Sequence, residues 1–420
     1  MKDTNMVRRR FSGLVVLIFL LSSCSTKPGS TEVVLEVKPA TYISKEVPVH
    51  VIVQLPSRFR RFPADEITVT LQSEDGEYKQ IPGQIIECEN GNYQLWWILP
   101  KTNQHNTVQW TATLTKESNS TRSKFSWENT QDKHLDLLLD KKRVFSYIYE
   151  MDDHFEEGEY LTANNKAFYH IYDLQGEDVI TNGPEDGLWS HHRGIMIGWR
   201  DMGFRGQELS FWGMEDFTVQ KHINFHKMIA GPVVAKVESL IHWKDSTGTT
   251  LIEEKRLATI YKQLPPSILL LDFTSTLRTI NGPVTLDGNA EHGGVQYRAH
   301  NDVAEKLPGT VMPTYYFHQD SIDPHKDYNL PWVGMSYGLW NKMYSVLDMD
   351  HPDNPDPTIW SAYRDYGRFG PFFRKELDAN DNLTINYRFW ISQEPMPDRE
   401  ILSSKYASYS NPPEVRVITP

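Results

Sequence analysis

The sequence predicts an all-β protein made of two sandwiches in tandem. Three observations carry that prediction. Short runs rich in Val, Ile, Thr and Trp recur along the chain, many with period-two alternation. Turn formers separate them, with 25 Gly and 25 Pro available. Helical candidates are few and weak. The chain has 420 residues, and a prior of roughly 150 residues per domain suggests two or three domains.

Residues 31–115 supply the first sandwich. Thr31 to Val37, Val47 to Gln54, Ile67 to Gln72, Gln84 to Cys88, Asn92 to Leu99 and Thr107 to Leu114 read as strands. Glu89-Asn90-Gly91-Asn92 contains the Asn-Gly pair of type I′ hairpins. Strands so short and regularly spaced predict an immunoglobulin-like sandwich, with a core of Val51, Val53, Leu95 and Trp97. Residues 116–134 are polar and read as a linker. In residues 135–420, Val234 to Trp243 alternates. Leu251 to Tyr261 follows the turn Asp245-Ser246-Thr247-Gly248 as a hairpin strand, Ile268 to Phe273 reads as a buried strand, and Leu383 to Ile391 as a late one. A large antiparallel β-sandwich is the economical architecture.

The N-terminus reads as an address. Arg8, Arg9 and Arg10 precede the apolar run Leu14 to Leu21, which is too short to span a bilayer as an ordinary helix. Leu21-Ser22-Ser23-Cys24 resembles a bacterial lipobox. Residues 1–23 are then a signal peptide, Cys24 is lipidated, and residues 24–30 form a tether to the lipid bilayer. That places the protein in a bacterial cell envelope, facing either the periplasm or the surface; a plain uncleaved anchor is the alternative. No later segment is long and apolar enough to cross a membrane as a helix. With Cys24 lipidated, Cys88 is left alone, expected in the core among Ile85, Ile86 and Tyr93. A 12% aromatic content excludes a disordered chain, and a net charge of −12 argues against nonspecific nucleic-acid binding.

Three segments could carry chemistry. In Ser190-His191-His192-Arg193-Gly194, imidazoles can move protons near neutral pH or bind metal, and a guanidinium can hold an anion bidentately. If the segment is a strand, at most one of the two His faces a given pocket; a hydrogen-bonded structural pair is the bland alternative. Asn289 to Arg298 sets Glu291, His292 and Arg298 around Gly293-Gly294, where a bulge is plausible; the alternative is a strand with an internal ion pair. Asp348 to Asn354, followed by Trp360, Tyr363 and Arg364, has the acids, amides and aromatics of a sugar site. Its alternatives are a solvated loop or a calcium loop, although the spacing is not that of an EF-hand. His222-Ile223-Asn224-Phe225-His226 lacks the Glu of a metalloprotease helix, and as a strand would put both His on one, solvent-facing side. Phosphate loops, dinucleotide fingerprints, nucleophile elbows and zinc-type Cys pairs do not occur, and the sequence requires no metal or cofactor.

These motifs, with Lys166-Ala167-Phe168-Tyr169-His170, Met349 to Asn354 and Tyr363-Arg364-Asp365-Tyr366-Gly367, resemble the bacterial PmoA-like domain of unknown function over residues about 143–415. Family members often carry His-Pro where this chain has Trp189-Ser190. The resemblance implies a galactose-mutarotase-like β-supersandwich and, by association, sugar chemistry. The expectation is a lipid-anchored, carbohydrate-active protein acting on a glycan or oligosaccharide as a lyase, epimerase or hydrolase. His191, His192, Arg193, Glu291 and His292 would be catalytic. Arg298, His351, Asp353, Asn354, Trp360, Tyr363 and Arg364 would bind substrate. A noncatalytic glycan-binding lipoprotein is the alternative, and a His-liganded copper or iron protein the third reading.

Overall fold

A computed structural model of the chain describes residues 30–88, 91–116, 123–130, 133–150, 165–183, 188–214 and 216–419. Cys24 with its signal segment, and Asn90 of the expected hairpin turn, lie outside the described residues. The protein is an all-β sandwich structure. All six strands expected near the N-terminus are present: β1 (Thr31–Val37), β2 (Lys45–Val53), β3 (Ile67–Ser73), β4 (Ile81–Glu87), β5 (Tyr93–Lys101) and β6 (Val108–Lys116). Their alternation buries Val33, Leu35, Val51, Val53, Leu95, Trp97 and Trp110 in one core. Cys88 is half-buried and not in that core: it follows the last residue of β4, where its N–H closes the hairpin onto Asn92 O at 2.8 Å.

The expected linker is partly a strand. β7 (Phe125–Thr130) begins a second sheet with β8 (His134–Leu139), β9 (Lys142–Ile148), β10 (Phe168–Ile171) and β11 (Ile195–Trp199). Its alternating apolar residues are only Phe125 and Trp127, so polar neighbours hid it. Phe125 is buried, and the Trp127 indole donates to Ile229 O at 2.8 Å. β12 (Met202–Phe204) and β13 (Gln207–Leu209) start a small sheet. β14 (Val219–Ile229), β15 (Val234–Lys244), β16 (Thr250–Tyr261) and β17 (Ser267–Thr279) form an antiparallel run containing the expected hairpin strands. β18 (Val284–Leu286) joins the small sheet, and β19 (Gly293–Arg298) joins the sheet of β11. β20 (Val311–Phe317), β21 (Trp332–Leu339) and β22 (Lys342–Asp350) extend the long antiparallel sheet. β23 (Ile359–Trp360), β24 (Arg368–Phe369), β25 (Pro371–Phe372) and β26 (Lys375–Leu377) are short. β27 (Asn382–Ser392) completes the long sheet, and β28 (Val415–Thr419) ends the chain.

Two sheets therefore face each other in the larger unit. Their orders are β24-β19-β11-β10-β9-β8-β7 and β14-β15-β16-β17-β27-β22-β21-β20. Tyr169, Ile195, Val295 and Tyr297 from the first meet Trp243, Ala258, Phe273 and Val346 from the second in a single core. Within it Arg256 and Glu254 are fully buried as a bidentate pair. The two sandwiches are joined. β28 returns to pair with β1. Ile86 and Trp96 leave the first core to pack with Val233, Val234, Tyr261 and Trp390. Gln84 accepts from the N–H groups of Val233 and Val234 at 3.0 and 2.9 Å.

Candidate functional site

Because β11 and β19 send Ile195, Val295 and Tyr297 into the core, period two sends Met196, Gln296 and Arg298 to the opposite face. β24 pairs with β19 so that Arg368 stands directly across from Arg298. This outer face is where the chemistry collects. Two glycines permit its close layers. A Cβ on Gly194 would meet Tyr169 O at 1.9 Å, and one on Gly294, where φ is +81°, would meet Pro371 O at 1.9 Å. The β11–β19 register runs unbroken through Gly293 and Gly294. The expected bulge is absent: the glycines admit the β25 backbone and insert no extra residue.

His191 and His192 do not sit on a strand, which corrects the expectation that only one faces the site. They close a turn in which Trp189 is left-handed (φ +58°), and their rings meet edge to face at 4.2 Å. His192 is 3% exposed. Trp212 lies edge-on at 5.4 Å and Tyr366 nearly parallel at 6.0 Å. Among the described residues, neither imidazole nitrogen has a hydrogen-bond partner. Burial, reinforced by Arg368, His191, Arg298 and Lys166, holds its pKa well below the ordinary histidine value, so the ring is neutral.

The arginines divide by role. Arg193 points into structure: it donates to Asn165 Oδ1 (3.3 Å), Lys166 O (3.4 Å) and Ser190 O (3.4 Å) and lies over Phe168. It ties the His turn to the segment entering β10, and burial lowers its pKa to about 9. Arg298 is fully buried beneath the Tyr366 ring, at 5.2 Å. Its Nη1 donates to Ala299 O (3.0 Å) and to Tyr366 O, while Nε and Nη2 have no partner among the described residues. Arg368 donates from Nε to the Tyr366 hydroxyl (3.1 Å) and from Nη1 to Gln296 Oε1 (2.9 Å). Lys166 is buried against Trp212, whose carbonyl it reaches.

At the rim, Glu291 pairs with Arg364 and accepts from the Tyr363 hydroxyl at 3.0 Å. Tyr363 stacks on His325 at 3.9 Å. His292 approaches Trp212 edge-on at 6.1 Å, its Nδ1 3.0 Å from Asn289 Oδ1. Arg364 reaches back over Tyr366 at 6.0 Å. Trp212 and Tyr366 thus connect His191, His192, Arg298, Glu291, His292, Tyr363 and Arg364 in one neighbourhood.

Four expected binding residues lie elsewhere. Trp360 is wholly inside the core, stacked at 6.4 Å on Phe369, because its short strand pairs with β25 at the core's edge. His351 lies just past the end of β22 and packs on Tyr409 at 5.2 Å. Asn354 is consumed by bonds to Asp350 (2.6 Å) and to the Asn386 backbone. Asp353 is exposed beside His351. The acid-rich segment is largely core: burial and Asp350 push the Asp348 pKa well above the carboxylate range, and burial raises Asp350 to about 7. His222 is also structural, packed among Tyr147, Tyr149 and Phe225 with its pKa lowered by burial to about 4.

Lys166, Trp212, Gln296, Tyr366 and Arg368 were not anticipated as site residues. Arg368 becomes one only through its register with Arg298, and Trp212 only through a loop packed on Phe168 and Met196. Among the described residues, no group of three or more His, Cys, Asp or Glu side chains is arranged to hold a metal ion, and no helix is long and apolar enough to cross a membrane. Comparison with curated proteins gives no match. A family model does match, over residues 134–406, which covers the whole outer-face site and both sheets except β7. The chain belongs to DUF6807, a family of unknown function.

Proposed function

We propose that the chain is a carbohydrate-active enzyme of the bacterial cell envelope, anchored by lipid on Cys24, that moves a proton on a glycan. The observation that carries this reading is the meeting of three distant segments around one buried imidazole whose two nitrogens have no partner among the described residues. A neutral His192 is suited to accept a proton. The guanidinium groups of Arg298 and Arg368 would stabilise negative charge developing beside it. A negatively charged ligand among these cations offsets the field that depresses the His192 pKa, so its basicity rises on binding. Tyr363, held by Glu291, is the candidate for returning a proton at the rim. Trp189 and Tyr366, whose rings lie 4.5 Å apart, offer aromatic faces to the C–H face of a sugar.

Of the three reaction types, elimination by a lyase and epimerisation fit best. Both begin by removing a carbon-bound proton next to a group that can carry the resulting charge. Hydrolysis generally uses two carboxyl groups flanking the bond, and Glu291 is the carboxylate the described residues bring here. The PmoA-like resemblance, with its mutarotase-like implication, supports the sugar assignment. The test is incubation of the purified protein with plant and algal oligosaccharides, with mass spectrometry of the products. His192→Ala should lower turnover by about 10²–10⁴-fold with little change in affinity. Glycan binding without turnover by the wild type would install the noncatalytic reading. A stoichiometric metal lost with either His would install the metalloprotein reading.

A further inference from the structure

We infer that Arg298 is a seat for a carboxylate, so that the ligand of the outer-face site is an acidic sugar; this rests on the glycan reading above and names the class of glycan. Arg298 is fully buried and its guanidinium is fixed in place by Nη1, which donates to the carbonyls of Ala299 and Tyr366. Nε and Nη2, the two donors that share one edge of the fork, have no partner among the described residues.

The same molecule shows what that edge does when it is filled. Arg256 holds Glu254 with Nε to Oε1 at 2.7 Å and Nη2 to Oε2 at 2.8 Å. Arg388 holds Asp272 with Nε to Oδ1 at 2.5 Å and Nη2 to Oδ2 at 2.8 Å. Each is a buried arginine whose Nε/Nη2 edge grips both oxygens of one carboxylate. Arg298 is a third buried arginine with the matching edge, and among the described residues it has no carboxylate. Buried charges are normally paired, because an uncompensated one is expensive. Arg368 stands opposite, adds a second positive charge and is held by Gln296 through Nη1. The Tyr366 ring covers Arg298, so the carboxylate reaches the edge as that ring swings aside. The sugar ring is then left against Trp212, Trp189 and His192.

The experiment uses the full mature chain. Calorimetric titration compares oligogalacturonate, oligoglucuronate and alginate fragments with their carboxyl-reduced counterparts and with a sulfated oligosaccharide. Thermal melting in acetate against chloride, at constant ionic strength, probes the seat without a sugar. The expected result is binding of an acidic oligosaccharide, at least about tenfold weakening on carboxyl reduction, and stabilisation by acetate. Arg298→Lys, checked as folded by circular dichroism, should also lose about tenfold or more, since an ammonium cannot span both oxygens. Equal binding of reduced glycans, or preference for the sulfated one, would overturn the carboxylate seat and leave the glycan reading standing. Stabilisation by acetate that depends on Arg298, with no sugar bound, would overturn the glycan reading and keep the seat. Silence from acetate and from every oligosaccharide would overturn both.

Discussion

Replacing Arg298 and Arg256 in turn by Met should give very unequal losses of stability, though both are fully buried arginines. Arg256→Met strands Glu254, which would keep only Ser275 Oγ and the Trp243 indole, each at 2.8 Å. Breaking a buried pair from one side costs about 3–5 kcal/mol. Arg298→Met strands no carboxylate among the described residues. Burial lowers the Arg298 pKa from the ordinary guanidinium value to about 10, so holding its charge costs about 3 kcal/mol at 1.36 kcal/mol per pKa unit. Met removes that cost and leaves the carbonyls of Ala299 and Tyr366 without this donor, at about 1–3 kcal/mol in all. The two terms nearly cancel, and the variant should lie within about 1–2 kcal/mol of wild type. Urea unfolding followed by tryptophan fluorescence compares the three proteins. If Arg298→Met loses as much as Arg256→Met, then Arg298 has a structural counter-charge and the empty-edge reasoning is wrong.

Three further outcomes are expected. Cys24→Ala should move the protein out of the membrane fraction; unchanged fractionation would dismiss the lipid anchor. The fragment 31–116 should fold as β but self-associate on sedimentation, because it lacks β28 and bares Ile86 and Trp96; Ile86→Ser with Trp96→Ser should restore a monomer, and a monomeric unmodified fragment would refute the claimed docking. His170, whose pKa is lowered to about 3 by burial and then by His300 and Arg193, takes up a proton in the unfolded chain near pH 6.5 but not in the folded one. It therefore lowers stability as pH falls from about 6.5 toward 3, by about 1.4 kcal/mol per pH unit, and His170→Gln should reduce the slope of that limb of a stability–pH curve by this amount, leaving the part due to His192 and His222. Parallel curves would show that His170 is not the group responsible.

The strands were legible because alternation is local: Val234 to Trp243 declares one buried face without reference to any other segment. β7 was missed because only Phe125 and Trp127 mark it. The return of Val415–Thr419 to the first sandwich involves the two ends of the chain and has no local signal. In the site, the His turn and the Glu291 to Arg298 strand were visible as unusual polar clusters. Arg368 was not, because a lone Arg after Gly367 acquires meaning only from a strand register. Trp360 and Asn354 misled for the converse reason. Their composition suits a sugar loop, but one is core and the other is occupied by Asp350 and the Asn386 backbone.

The arrangement separates a rigid floor from an adjustable rim. Arg298, Arg368 and Gln296 rise from paired strands whose opposite face is packed into the core, so their positions are set before any ligand arrives. Glu291, Arg364 and Tyr363 come from loops, and the two charged members are about one-third exposed. An exposed pair of this kind contributes little to stability. Substitutions in the floor should therefore act on recognition of the proposed carboxylate, whereas those at the rim should act on turnover. Tyr363→Phe, which removes the hydroxyl that reaches Glu291 and leaves the ring on His325, removes the proposed proton donor and isolates the second effect. It should lower turnover on every acidic oligosaccharide by about 10²–10⁴-fold while leaving the thermal shift produced by acetate intact. A loss of the acetate response in Tyr363→Phe would show that rim and floor act as one unit.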